Sequence, residues 1–394
     1  MLTVPADMPR YLKRLRRIDM RLSFDVLRND ELASYELRNL YKTFGYSQYK
    51  VGRFEEYDLY AHNKSFLVSE NILTFTDTDG KLMALKPDIT LSIVKNIPCE
   101  KENIHKLYYN ENVYRTAPDS HGFKEIMQTG LECIGNIDMY SEAEVIMLAQ
   151  RSLEVISEDN VLDISHMGFL DGLLDLARID DVSRESMFAL VKSKNTFELE
   201  NLCNKIGIDK KISLGLCELA QLYCPLDSAL PILKSLVSNK KMQLAFDELQ
   251  NLSDMMNLYG NKQKLFFDLS VVNDRNYYDG IIFTGFVKGI ADSVLSGGRY
   301  DKLLERMGKQ LSAIGFAVYL DRLERLNDSQ VKDDVDVMLI YDNTASAKDI
   351  IEAVKKLEAE GKSIKVSPVL DQNCRYRQLL KITNEGDSVL EANG

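Results

Sequence analysis

The sequence predicts an α+β protein: an antiparallel sheet flanked by helices, carrying a helical insertion and followed by a small α/β C-terminal domain. Three observations predict it. Strand-like runs early in the chain come in pairs joined by short polar turns, as antiparallel hairpins do. Residues 166 to about 262 then lose the strand pattern and read as short consecutive helices, after which strands resume. Beyond a polar break at Asn327-Asp328-Ser329, a strand, a helix and another strand follow in a βαβ-like tail of roughly 60 residues.

The elements follow in order. Val26, Leu27, Leu37, Leu40, Tyr41 and Phe44 recur at spacings of three and four, which marks an amphipathic helix, and Gly45 ends it. "ILTFTDTDGKLMALKPDIT" holds two strands around Asp79-Gly80, a dipeptide suited to a tight hairpin turn, and Pro87 stops the second. "KLYYNENVYRTAP" and "FKEIMQTGLECIG" form another strand pair across "DSHG", and residues 141–157 return to helical periodicity. In the insertion, "LDGLLDLARI", "FALVKSKNTFELENLCNKIG", "SLGLCELAQLY" and "MQLAFDELQNLSDMMNLYG" read as helices. "KLFFDLSVV", "GIIFTGFV" and "SVLSGGRYD" return to the sheet, and "VDVMLIY", a helix from about Ala345 to Glu360 and "SIKVSPVL" build the tail. The expected domains are residues 1–326, with the insertion at about 166–262, and residues 331–394.

Bulk properties narrow the function classes. A chain of 394 residues exceeds one ordinary core. Its net charge of −11 suits a phosphate backbone poorly, so no nucleic-acid partner is expected. The tail, with nine Lys/Arg and twelve Asp/Glu over residues 331–394, is itself net −3. No stretch approaches the roughly 20 apolar residues of a membrane span. The N-terminal "MLTVPADMPRYLKRLRRIDM" has charge but no apolar run behind it, so a soluble, cytoplasmic protein is expected. Six scattered cysteines without a C-x-x-C pair read as reduced buried thiols. His62, His105, His121 and His166 have no metal-ligand spacing, and no Ser-His-Asp or Cys-His set assembles. Neither a cofactor nor a metal is therefore expected, and no catalytic residue is proposed.

Some residues could nonetheless line a ligand site. A strand over "EIMQTGLECIG" puts Ile126, Gln128, Gly130, Glu132 and Ile134 on one face. A gap at Gly130 between an amide and a carboxylate suits a small amine-bearing ligand; the other reading is a solvated sheet face. Asp88 and Thr90 stand at a strand end where a carboxylate could receive an ammonium group or cap a helix. Tyr277 and Tyr278 are adjacent, so strand alternation would let only one of them face a given pocket. Arg115 is a candidate anion clamp. Gly297, Gly298 and Arg299 permit close backbone approach without the spacing of a nucleotide fingerprint. In "AIGFAVYLDRL", Tyr319 is a bulky ring just before the charged pair Asp321 and Arg322.

Taken together and in order, "LKPDIT", "NVYRTAPDSHGFKEIMQTGLECIG", "NYYDGIIF", "SGGRYDKLLERMG" and "AIGFAVYLDRLERL" resemble the catalytic domain of histidyl-tRNA synthetase. The likeness spans roughly residues 10–326. It implies a class II aminoacyl-tRNA synthetase-like fold with a six-stranded antiparallel sheet. It also implies that Asp88 and Thr90 hold an amino acid's ammonium group, that Gln128 and Glu132 line a histidine pocket, and that Tyr277 and Tyr278 close over the imidazole. Arg115 and Arg322 match the arginines of motifs 2 and 3, on the ATP α-phosphate and γ-phosphate sides.

The departures gather in the nucleotide half. Asn273 stands where the synthetase has an arginine that stabilises adenylate formation, and the loss of such a cation typically costs two or more orders of magnitude in rate. Arg275 is nearby but out of register. Ala117 replaces the carboxylate that reads adenine, and Tyr319 replaces the glycine that makes room for adenosine. These features resemble the synthetase's paralogue family, the regulatory subunits of ATP phosphoribosyltransferase. That resemblance implies a non-catalytic protein, required by a short catalytic subunit in the first step of histidine biosynthesis, with histidine as feedback effector. It further implies a homodimer, through the first helix and neighbouring strand, inside a larger hetero-oligomer. The rival expectations are a divergent active histidyl-tRNA synthetase and a synthetase-like module that senses tRNA.

Overall fold

The structure, a computed structural model, describes residues 27–67, 71–98, 103–116, 122–260, 264–271, 277–327, 333–383 and 386–392. Expectations resting on residues 1–20, Val26, Cys99, Ala117, His121, Asn273, Arg275, Asp328 and Ser329 lie outside these. The chain divides into two compact units, Met1–Leu326 and Asn327–Gly394.

The first element of this unit among the described residues is α1, Asn29–Thr43, which buries Ala33, Leu37 and Tyr41. Gly45 follows at φ +82°, a left-handed conformation that glycine adopts without steric cost. A three-stranded sheet consists of β2 (Phe54–Glu56), β3 (Thr74–Thr76) and β4 (Leu82–Leu85), with β4 in the centre. The turn between β3 and β4 holds Asp79-Gly80, and Gly80 has φ +81°. β2 is followed by α2, Tyr57–Ala61, and after β4 "KPD" leads into α3, Thr90–Asn96, whose first turn is capped by Asp88: its Oδ1 accepts from Leu91 N at 2.8 Å.

The main sheet is larger and more mixed than the expected six antiparallel strands. Among the described residues it has nine, in the order β1-β5-β6-β12-β11-β10-β7-β9-β8. These are β1 (Ser47–Gln48), β5 (His105–Thr116), β6 (Phe123–Gly135), β7 (Asn160–His166), β8 (Tyr223–Pro225), β9 (Leu265–Asp268), β10 (Ile281–Val287), β11 (Leu295–Arg299) and β12 (Ser312–Tyr319). β1 pairs with β5 and β7 with β9 in parallel, while the remaining neighbours are antiparallel. Three strands escaped the sequence reading. β1 and β8 are too short for any periodicity to show. β7, "NVLDISH", is buried over its last five residues, so it shows no alternation in burial.

Behind this sheet lies α4, Met139–Ile156, buried along most of its length. The insertion contributes α5 (Met167–Ala177), α6 (Asp181–Lys192), α7 (Thr196–Ile206), α8 (Lys210–Gln221), α9 (Leu226–Leu236) and α10 (Lys240–Tyr259). "FALVKSKNTFELENLCNKIG" is thus two helices, separated where Lys194 takes φ +53°. α9 carries Pro231 inside it, which hid the helix from pattern reading. After β11 comes α11, Asp301–Arg306, and after β12 a 3₁₀ segment, Leu320–Asn327.

The second unit is more than a βαβ tail. Its four strands run β14-β13-β15-β16, with β13 (Val335–Tyr341) parallel to both β14 (Ile364–Ser367) and β15 (Tyr376–Thr383), and β16 (Gly386–Ala392) antiparallel to β15. Its helix α12, Ala347–Ala359, packs on this sheet through Leu357. The last two strands, β15 in the interior and β16 at the edge, were missed because their short apolar runs are interrupted by charged and polar residues.

Candidate functional site

One cavity of about 360 Å³ is lined by all seven candidate binding residues, Asp88, Thr90, Arg115, Gln128, Glu132, Tyr277 and Tyr278. Its floor is the sheet where β6, β12 and β11 run side by side. Cross-strand register places Gly315 opposite Glu132, Ala317 opposite Gly130 and Tyr319 opposite Gln128. The glycines are needed by contact. A Cβ on Gly315 would stand 1.9 Å from Glu132 Oε2 and 2.5 Å from Leu131 O. A Cβ on Gly130 would stand 2.4 Å from Phe316 O and 2.5 Å from the Tyr109 hydroxyl.

The expected gap at Gly130 is therefore filled, by the ring of Tyr109. This residue lies directly opposite Gly130 on β5, so register would have revealed it, but register is invisible before the strands are paired. Tyr300 was also missed. It follows Arg299 in "SGGRYD", and its hydroxyl donates to Glu132 Oε2 at 2.5 Å. On the carboxylate's other side Thr90 Oγ1 donates to Oε1 at 2.6 Å. Tyr277 and Tyr278 do not alternate across a strand as expected, because both precede β10, in non-strand backbone. Both line the cavity, with ring centroids 4.7 Å apart and planes at 61°.

Electrostatically, this end of the cavity is built around two buried carboxyl groups. Burial raises the Glu132 pKa to about 8, opposed by the Thr90 and Tyr300 hydrogen bonds and reinforced by the negative charge of Asp88. Burial also raises Asp88, against the Leu91 N–H and the nearby Arg115 charge. A ligand ammonium or other N–H donor would relieve both. Arg115, on the same cavity, directs its Nε to Pro87 O at 2.9 Å and brings a positive charge for a carboxylate. Gln128 Nε2 and Thr284 Oγ1, both on buried side chains lining the cavity, have no hydrogen-bond partner. They are open positions for a polar ligand.

At the other end the lining side chains engage one another. Tyr319 donates to or accepts from Ser296 Oγ at 2.7 Å, and the Arg322 guanidinium carbon lies 4.3 Å from the Tyr319 ring centroid. Arg322 Nη1 also donates to Ser293 O and, at 3.2 Å, to Ser293 Oγ. The arginine is held by its own protein. His166, by contrast, is structural: Nδ1 accepts from Gly168 N at 2.9 Å at the start of α5, and Nε2 meets Glu248 Oε2 at 2.7 Å.

This sheet and its flanking helices define a class II aminoacyl-tRNA synthetase-like fold. The family model for histidyl-tRNA synthetase matches residues 25–323. The ATP phosphoribosyltransferase regulatory subunit of Clostridium acetobutylicum is 29% identical over 374 residues, covering 91% of this chain and 92% of that one. The regulatory subunit of Caldanaerobacter subterraneus is 32% identical over 295 residues, covering 73% and 76%. A crystal structure of an ATP phosphoribosyltransferase regulatory subunit/histidyl-tRNA synthetase from Bacillus halodurans superposes with a TM-score of 0.74 at 23% identity, covering 90% of this chain and 93% of that one. The chain belongs to the histidyl-tRNA synthetase family and, within it, to the ATP phosphoribosyltransferase regulatory subunits.

Proposed function

We propose that this chain is a non-catalytic regulatory subunit of ATP phosphoribosyltransferase, required by a short catalytic subunit, and that histidine bound in the cavity is its feedback signal. The observation that carries the reading is the contrast within one cavity. Its amino-acid end keeps Asp88, Thr90, Gln128, Glu132, Tyr277 and Tyr278 around open polar positions, while Tyr319 and Arg322 engage each other where a nucleotide would lie.

The chemistry follows from the charges. A histidine ammonium is attracted by Asp88 and Glu132, its carboxylate by Arg115, and its imidazole is enclosed by Tyr277 and Tyr278. Histidine then shifts the hetero-oligomer only as far as it binds one arrangement better than the other, and linkage requires that this arrangement turn over less well. The synthetase-like domain, residues 1–326, is the sensor, and residues 331–394 form a separate small domain. Self-pairing through α1 and the neighbouring strand would present two sensors to the catalytic subunits.

Calorimetric titration with histidine and with ATP, together with assay of a short catalytic subunit in the presence of this chain, tests the reading. Histidine binding, no comparable ATP binding and restored phosphoribosyl transfer are expected. Histidine charging of tRNA, or no effect on the catalytic subunit, would overturn it.

A further inference from the structure

A second, smaller cavity of about 190 Å³ lies between the start of α4, the face of α10 and the end of β11. Its apolar wall includes Met139 and Leu252, and its polar wall Glu142, Glu248, Asn251 and Arg299. Glu142 is the unusual member. Its side chain is only 8% exposed, yet Oε1 accepts no hydrogen bond, and the nearest cation, Arg299 Nη1, stands 3.8 Å away. Arg299 is shared: beyond this long ion pair through Nη1, its Nε and Nη2 sit on Asp301 Oδ2 at 3.0 Å and Nη2 within 3.3 Å of Ser312 Oγ.

A buried acceptor left open costs free energy unless something fills it. The lining carries Asp138, Glu142 and Glu248 against Arg299, and Asp138 is occupied by Ser141 N at the start of α4. Glu248 is anchored by His166 at 2.7 Å. The open acceptor calls for a donor, and the excess of carboxylates over Arg299 in the lining favours a positive one. No cluster of three or more His, Cys, Asp or Glu able to hold a metal occurs among the described residues, and the apolar wall suits a carbon body. We infer that this cavity is a second ligand site, for a small organic cation: a primary ammonium donating to Glu142 with a short aliphatic part against Met139 and Leu252.

Its placement gives occupancy a route to the first site. Arg299 lines the second cavity, while the next residue, Tyr300, donates to Glu132 in the first. A cation that draws Glu142 away from Arg299 alters the end of β11 that positions Tyr300.

Titration of the full chain with n-butylammonium chloride, with n-butanol as the uncharged control, tests the site. Saturable binding of the amine alone is expected, and saturating histidine should shift its affinity without abolishing it. It should weaken roughly tenfold or more in Glu142→Gln, the loss expected for a charged hydrogen bond. Asn251→Leu, on the exposed side of α10, should weaken it by filling the cavity, and thermal melts would verify that both variants are folded. Binding equal for amine and alcohol, displacement by histidine, or undiminished binding in folded Glu142→Gln would overturn the inference and leave the cavity to water.

Discussion

The Arg322 guanidinium carbon lies 4.3 Å from the centre of the Tyr319 ring, while the Tyr319 hydroxyl and Ser296 Oγ are 2.7 Å apart. Ring and cation thus engage each other, and a nucleotide bound at the proposed site would have to displace the ring and recruit the arginine. Tyr319→Phe should keep the ring and its cation contact while losing one hydrogen bond, destabilising the fold by about 1 kcal/mol without admitting ATP. Tyr319→Gly should free Arg322 and open space, so calorimetry should detect ATP binding tighter than in the unaltered chain. If the glycine variant gains nothing, the ring is not what closes that half.

Glu132 makes stability depend on pH in a definite direction. Its folded pKa, about 8, stands above the ordinary 4.5, so the folded state holds the proton more tightly. The resulting stability is fully present below about 4.5 and is lost as pH rises through about 8. Glu132→Gln should therefore melt close to the unaltered chain near pH 5 and clearly above it near pH 8.5, with histidine binding abolished at both. Equal melting differences at the two pH values would show that the carboxyl is not held protonated.

The same group ties ligand binding to protons. A histidine N–H donor favours ionised Glu132, and below pH 8 ionisation must first release a proton. Histidine affinity should rise roughly fivefold between pH 7 and pH 8 and then level off. Titration in buffers of different ionisation enthalpy would register the released proton. Flat affinity across this range would argue that histidine binds without ionising Glu132.

How much of this could be seen in the chain itself depends on what each feature needs. α1 and the β3–β4 hairpin need only local periodicity and a turn, and both were legible in Leu37, Tyr41 and Asp79-Gly80. The motif order pointed to Asp88, Gln128, Glu132 and the tyrosine pair before any pairing was known. Tyr109 and Tyr300 were invisible because their roles arise from cross-strand register and a contact 168 residues apart in sequence. The alternation rule misjudged Tyr277 and Tyr278 because it assumes a strand where the backbone has none. β7 hid because burial over its last five residues removes the period on which strand recognition depends.

Gly315 offers a steric test of the pocket floor. With a Cβ 1.9 Å from Glu132 Oε2 and 2.5 Å from the backbone oxygen of Leu131, Gly315→Ala must displace the carboxyl or part β12 from β6. A cost of about 1–3 kcal/mol is expected, with histidine binding lost even where the chain still folds. Intact binding would mean that Glu132 can move without consequence, and so is not a ligand contact.

Gln128 separates a binding role from a packing role. Its Nε2 is buried without a partner, a cost borne by the empty protein that a bound acceptor would offset. Gln128→Leu removes that open donor at similar volume. The empty protein should consequently melt at the same temperature or slightly higher, whereas histidine should bind more weakly, by roughly tenfold for one lost hydrogen bond in a closed pocket. The two effects have opposite signs only if the amide is kept for the ligand. Were Gln128 merely part of the packing, its replacement would lower the melting temperature and leave the titration with histidine unchanged.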